Sequence, residues 1–258
     1  MKYLIGSIFA TMCMAITSAY ADNHLQVPVY GGVNALACDY VEGKGIDDLL
    51  RVSEKWNGWA SKNFSKVYTG NVLTPHYYDE SAADVYWVGF SPSFADQGTT
   101  QSEWQTKGTN MQAEFDSVMT CKSHSQFAWV QIRDESGDTD TGIVDFSACK
   151  MSPEATQAEM AAADTQMNEF LSRIESSVRI YRWYPLQGTG EESQGTDYFQ
   201  ASWHESLEAK GANSDKFVIN GGLQMRNALY GSLNDCSGGP SSTFIRVCLL
   251  YTSDAADE

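Results

Sequence analysis

Two histidines, a handful of cysteines and one acidic run are the residues with obvious chemistry. His76 stands in TPHYYDE and His204 in SWHESLE. An imidazole can ligate haem iron or another metal. Neither histidine has partner ligands at useful spacing, so a surface or internally satisfied histidine is the plainer account. Cys121-Lys-Ser-His124 carries half of a zinc-site spacing. Asp138-Thr-Asp140-Thr-Gly142 opens like a calcium loop, but the glutamate that closes such a loop is missing. It reads as a solvated turn, and no metal site is expected. No GxSxG elbow and no phosphate loop occurs. The residues therefore name no reaction.

The two ends of the chain bear on the cysteine count. Lys2 precedes an apolar run from Tyr3 to Ile16, followed by Ser18-Ala19-Tyr20-Ala21. This is the pattern of a secretory signal over residues 1–21, cleaved after Ala21. It predicts a periplasmic or secreted protein with no membrane insertion. At the other end, CLLYTSDAADE (Cys248 to Glu258) resembles the translation of transposon-sequencing adapter DNA, which would place the natural C-terminus beyond Val247. Setting aside Cys13 and Cys248 leaves Cys38, Cys121, Cys149 and Cys236, an even set suited to an oxidising compartment. The formal charge of −16 makes nucleic acid and anionic membranes poor partners. A solvated acidic coat is the simplest reading of that charge.

The elements that must position these residues occur twice. At an offset of 111, Cys38 meets Cys149, Leu49 meets Met160 and Trp59 meets Phe170. At 113, Tyr68 meets Tyr181, Asp84 meets Asp197 and Gly108 meets Gly221, and Cys121 then meets Cys236. The first half reads as strand 33–40, helix 46–62, strand-rich 66–78, strand 84–90, helix 99–119 and strand 127–133. The second reads as strand 142–151, a helix from Pro153 to about Ile174 capped by Ser152, strands 178–184 and 197–203, helix 215–233 and a strand from Phe244. The predicted units are residues 28–133 and 142–247, joined by an acidic linker over 134–141.

The order βαββαβ, twice, is the ferredoxin-like split motif, an α+β class. In it the first and last strands are antiparallel neighbours, which predicts Cys38–Cys121 and Cys149–Cys236 bridges. On this element order the chain resembles the dimeric α/β-barrel superfamily, with the usual pair of subunits fused into one polypeptide. That resemblance implies two facing sheets packed about a pseudo-two-fold, helices outside, and a monomer with an internal pseudo-dimer. Members include cofactor-independent monooxygenases, haem-degrading enzymes, haem peroxidases and plain ligand-binding domains. In haem-degrading members an asparagine, a tryptophan and a histidine line the pocket, and Asn34, Trp87 and His76 are of those types.

Aromatic residues alternate along several predicted strands, so some should point between the sheets. Core packing accounts for most of them, while a partly open aromatic cleft would bind a small planar or apolar ligand. The candidate ligand-lining residues are His76, Tyr86 and Trp87 in the first half and Tyr198, Trp203 and His204 in the second. The expected function is binding of a small apolar or aromatic ligand, or a structural role, without a cofactor. The alternatives are a monooxygenase or haem-degrading enzyme, for which haem would be the cofactor, and a cell-envelope interaction module.

Overall fold

The computed structural model describes residues 29–135, 139–190, 193 and 195–250. The signal-like segment 1–21, Asp138 and the tail after residue 250 lie outside the described residues. The first half contains β1 (Tyr30–Tyr40), α1 (Ile46–Asn63), β2 (Tyr68–Tyr77), β3 (Val85–Ser91), α2 (Phe94–Lys107), α3 (Thr109–Asp116) and β4 (Met119–Arg133). The second contains β5 (Thr141–Met151), α4 (Gln157–Arg173), β6 (Arg179–Gln187), β7 (Tyr198–His204), α5 (Leu207–Ile219), α6 (Gly222–Tyr230) and β8 (Asn234–Leu250).

The strands close into one antiparallel barrel in the order β1-β3-β2-β8-β5-β7-β6-β4. This corrects the expectation of two ferredoxin-like repeats packed as a pseudo-two-fold pair of facing sheets. The physical reason lies at the edges. A four-stranded sheet from either half would leave two rows of backbone N–H and C=O groups unpaired. Instead β2 zips onto β8 from Tyr68↔Leu250 to Tyr77↔Ser241, and β4 zips onto β6 from Gln126↔Gln187 to Arg133↔Ile180.

The barrel interior is packed with aromatic rings, which corrects the expected cleft between sheets. Phe127, Trp183, Trp203 and Phe244 are buried there, with Phe90, Phe146 and Phe199 packed against them. Phe146 and Trp183 meet edge to face at 5.1 Å, and Trp203 and Phe244 at 4.7 Å. The helices cover the outer faces. Leu49, Val52, Trp56 and Ala60 of α1 bury against outward residues of the first half, and Met167, Phe170 and Leu171 of α4 against those of the second.

Helix limits differ from the sequence expectation where caps and glycines intervene. The continuous helix expected over 99–119 begins at Phe94, because the Ser93 side chain accepts from the Asp96 amide, and it breaks at Gly108. The helix expected over 215–233 breaks at Gly221, whose φ of 79° suits glycine. The helix expected from Pro153 starts later, where Thr156 and Glu159 form a capping box.

The structure bonds Cys38 to Cys121 across β1 and β4, and Cys149 to Cys236 across β5 and β8. Each bridge closes a long loop, with separations of 83 and 87 residues. Such closure is worth about 4 kcal/mol in the chain-entropy account. Asp140 accepts from Arg246 Nε at 2.8 Å, so this half of the calcium-like motif serves as an ion-pair partner at the barrel end. Among the described residues no cluster of metal-ligating side chains is present.

Candidate functional site

Alternation along a strand decides which residues face the interior and which face the helices. On β1, Val33 and Ala35 point inward, and Asn34 and Leu36 point outward. On β3, Val88 points inward and Trp87 outward. The outward side chains of the first half and α1–α3 enclose a pocket of about 320 Å³. This is the low end of the range for small-molecule sites. Its walls include Trp56, Tyr68, Trp87, Trp104 and Phe115. Trp87 meets Trp56 edge to face at 4.9 Å and Phe115 at 5.3 Å.

Asn34, Gln101, Gln105, Gln112, Asp116 and His124 add polar groups to this pocket. Trp87 Nε1 donates to the Tyr68 hydroxyl at 3.0 Å, and Trp104 Nε1 to Gln112 Oε1 at 3.2 Å. Asn34 is only 6 % exposed, and its Nδ2 has no hydrogen-bond partner among the described residues. An unsatisfied buried donor costs about 1–3 kcal/mol. Burial pushes the Tyr68 phenol well above its ordinary value, so it stays protonated. Burial pushes the His124 imidazole down, so it is neutral at pH 7. Among the described residues no lysine or arginine lines the pocket, and Asp116 stands at its wall.

A larger cavity of about 980 Å³ lies on the outer face of the second half, under α4–α6. Gln200, Ser202 and His204 present the outward side of β7 to it, and Leu171, Val178 and Ile180 form an apolar side. Two of its carboxylates, Asp145 and Asp164, are paired within the wall. Asp145 takes Lys210 Nζ and the Ser241 hydroxyl at 2.5 Å each, and His204 Nε2 lies 3.6 Å away. Burial raises the Asp145 carboxyl, but the neighbouring His204, Lys210 and Ser241 outweigh it and hold it at about 2. Asp164 grips Arg182 through two bonds of 2.8 and 2.6 Å and accepts from the Tyr230 hydroxyl at 2.8 Å.

The six ligand candidates read from sequence do not come together. Trp87 lines the small pocket and His204 the large cavity. Tyr86 and Trp203 belong to the barrel interior. Tyr198 is fully buried on the outer face, where its hydroxyl accepts from Asn234 at 2.6 Å and the Arg182 guanidinium lies 5.0 Å from its ring. His76 is exposed near the end of β2, against the ring of Tyr77 at 4.6 Å. The histidine in the small pocket is His124. Sequence reasoning also passed over Tyr68 as a polar group. The available signal was Asn34, a lone amide in the apolar strand GGVNALAC.

The sequence matches no family model and no curated protein. The fold is shared with solved structures. A provisionally assigned monooxygenase from Fusobacterium nucleatum superposes with a TM-score of 0.56 at 8 % identity, over 86 % of this chain and 94 % of that one. A provisionally assigned chlorite dismutase superposes with a TM-score of 0.51 at 13 % identity, over 88 % and 97 %. A double variant of the chlorite dismutase from Candidatus Nitrospira defluvii gives 0.51 at 9 %, over 86 % and 93 %. At these identities the likeness is one of fold.

Proposed function

We propose that the chain is an exported protein that binds a small aromatic ligand in the pocket of its first half. One observation carries this reading: Trp56, Tyr68, Trp87, Trp104 and Phe115 wall a pocket of about 320 Å³ on the outer face of the first half. Export is supported by the two disulfides and the signal-like start. Among the described residues no helix is long and apolar enough to cross a membrane.

The test is calorimetric titration with small aromatic probes against the Leu36→Trp variant, which fills the pocket from the sheet side. Binding by the parent chain and loss in the variant, with unchanged circular dichroism, are expected. Equal binding by both proteins would move the site elsewhere.

Haem, the cofactor of the enzymatic alternative, does not fit the residues as they are arranged. The small pocket is less roomy than a porphyrin requires. In the large cavity, His204 has Nδ1 3.3 Å from the Asn213 amide and Nε2 3.6 Å from Asp145. Nδ1 is thus taken by the amide, and Nε2 faces a carboxylate. A second reading, cofactor-independent monooxygenation of the ligand bound in the same pocket, is favoured by the fold shared with a provisionally assigned monooxygenase. Oxygen uptake with an oxidisable phenol tests it, and a rate equal to that of the Leu36→Trp variant would dismiss it.

A further inference from the structure

We infer that the larger cavity, on the second half, is a separate binding site for an uncharged amphiphile, a hydrocarbon chain carrying a hydroxyl or amide head. The inference goes beyond the aromatic-ligand reading of the first-half pocket and does not depend on it.

The cavity floor changes character from one strand to the next. Across it the strands run in the order β8, β5, β7, β6, β4. β5 contributes Asp145 and Ser147, and β7 contributes Gln200, Ser202 and His204. The following positions are apolar: Ile180 on β6, Val178 just before it, and Ile132 on β4. The boundary runs between β7 and β6, where Ser202 pairs with Asp145 on one side and with Ile180 on the other. Met167 and Leu171 of α4 continue the apolar side, and Phe217 of α5 packs with them. At the rim Val218 and Leu223 carry that surface out to solvent, 54 % and 46 % exposed. Two polar residues stand on the apolar side, Asn168 and Ser176, and the Asn168 amide is bonded to the Ile132 carbonyl.

The polar side has unused hydrogen-bonding groups. Ser147 and Gln200 stand directly opposite each other across β5 and β7, and Ser202 belongs to a neighbouring pair. These three side chains are half-buried and make no hydrogen bond among the described residues. None of their polar atoms is sealed from solvent as Asn34 Nδ2 is. Hydroxyls and carboxamides both donate and accept, so together they suit a hydroxyl or an amide. The other amides of the wall are engaged: Asn213 lies between His204 and Ser177, and Asn234 donates to the Tyr198 hydroxyl.

The charges of the wall favour neither sign. Asp145 is paired with Lys210 and Asp164 with Arg182. That leaves one carboxylate, Asp235, and one guanidinium, Arg226, both exposed. A charged head would give up its water without a dedicated counter-ion, whereas a neutral head has no such cost. The side chains over β6 and α4 are mainly aliphatic, in contrast to the rings that wall the first-half pocket. There Trp87 stands opposite Leu36, and here Gln200 stands opposite Ser147.

Titration calorimetry below the micellar concentration tests this with monohexanoyl-, monooctanoyl- and monodecanoylglycerol, decanoate and decyltrimethylammonium. The parent chain should bind monodecanoylglycerol more tightly than either charged probe. Its affinity should fall roughly four-fold for each methylene removed from the chain, the worth of one buried CH₂. Ser202→Trp fills the cavity from the sheet side and should abolish binding. Leu223→Glu places a charge on the exposed rim and should weaken binding several-fold, which carries the test should the tryptophan variant fail to fold. Leu36→Trp, which fills the other pocket, should bind as the parent does. Affinity independent of chain length, tighter binding of a charged probe, binding unchanged in both cavity variants, or no binding at all would overturn the inference and leave the aromatic-ligand reading standing. Loss of binding in Leu36→Trp alone would move the amphiphile to the first-half pocket and overturn it as well.

Discussion

The hydroxyl of Tyr68 occupies the place where a side chain on Gly89 would begin, 1.9 Å from that glycine's absent Cβ. A methyl group there must displace the phenol, which is 5 % exposed and holds Trp87. Gly89→Ala should therefore cost about 1–3 kcal/mol through overpacking. Chemical denaturation would measure the loss, and the variant should also lose the aromatic ligand. A fully stable Gly89→Ala variant would show that Tyr68 has room to move.

Asn34→Leu should have the opposite effect on stability. The amide nitrogen is buried without a partner, so an apolar side chain of similar size removes a desolvation cost. The unfolding free energy should stay level or rise by about 1 kcal/mol, measured by chemical denaturation. A loss above about 2 kcal/mol would mean that Asn34 is satisfied internally in solution.

Asp145 should make the second half acid-sensitive. Its carboxyl sits at about 2 in the folded state, against an ordinary value of 3.8. The folded-state value is depressed, so the stabilisation is complete above the ordinary value and is lost as pH falls through that window toward 2. Its size is at most about 2 kcal/mol. Stability measured from pH 5 to pH 2 should fall less steeply in Asp145→Asn, which would already be less stable at pH 5. Parallel curves for the two proteins would contradict the assignment.

Cys248 is the free thiol of the described region, 2 % exposed in the core beneath α1. Burial pushes it up to about 12. It should resist a thiol-exchange reagent at pH 8 until guanidinium unfolds the chain, and then release one equivalent. Rapid reaction of the native protein would place this strand end in solvent.

His204 should behave as a wall residue and not as an iron ligand. Adding hemin should give no Soret shift that disappears in His204→Ala, while the same substitution should lower the melting temperature by leaving Asp145 and Asn213 with one partner fewer. A Soret shift abolished in His204→Ala would reinstate haem.

Much of the secondary structure was legible because apolar alternation marks strands such as DVYWVGF and FAWVQIR. Helix breaks at Gly108 and Gly221 were less so, since one glycine within a helical pattern does not announce a kink. The barrel was not legible, because strand periodicity does not say which edges meet. The seams β2–β8 and β4–β6 join residues far apart in the chain. Facing was the second obstacle. Trp203 and His204 are neighbours in sequence, yet one enters the barrel and the other the cavity. Period-two alternation sorts residues into two sets without naming the inner one. His76 and His124 show the same limit: composition offered a histidine for the pocket, but only the register of β4 against β1 selects which.

The two crosslinks also have a topological consequence. Each clasps the first strand of a half to its last, making two covalent rings, and no sulfur crosses from one ring to the other. The rings are tethered by the short stretch between Arg133 and Thr141 and zipped along two ladders. A protease nick in that tether would leave two looped fragments with no covalent link, held by the two ladders and the shared aromatic interior. At high concentration, rings from different molecules could exchange partners along the same ladders.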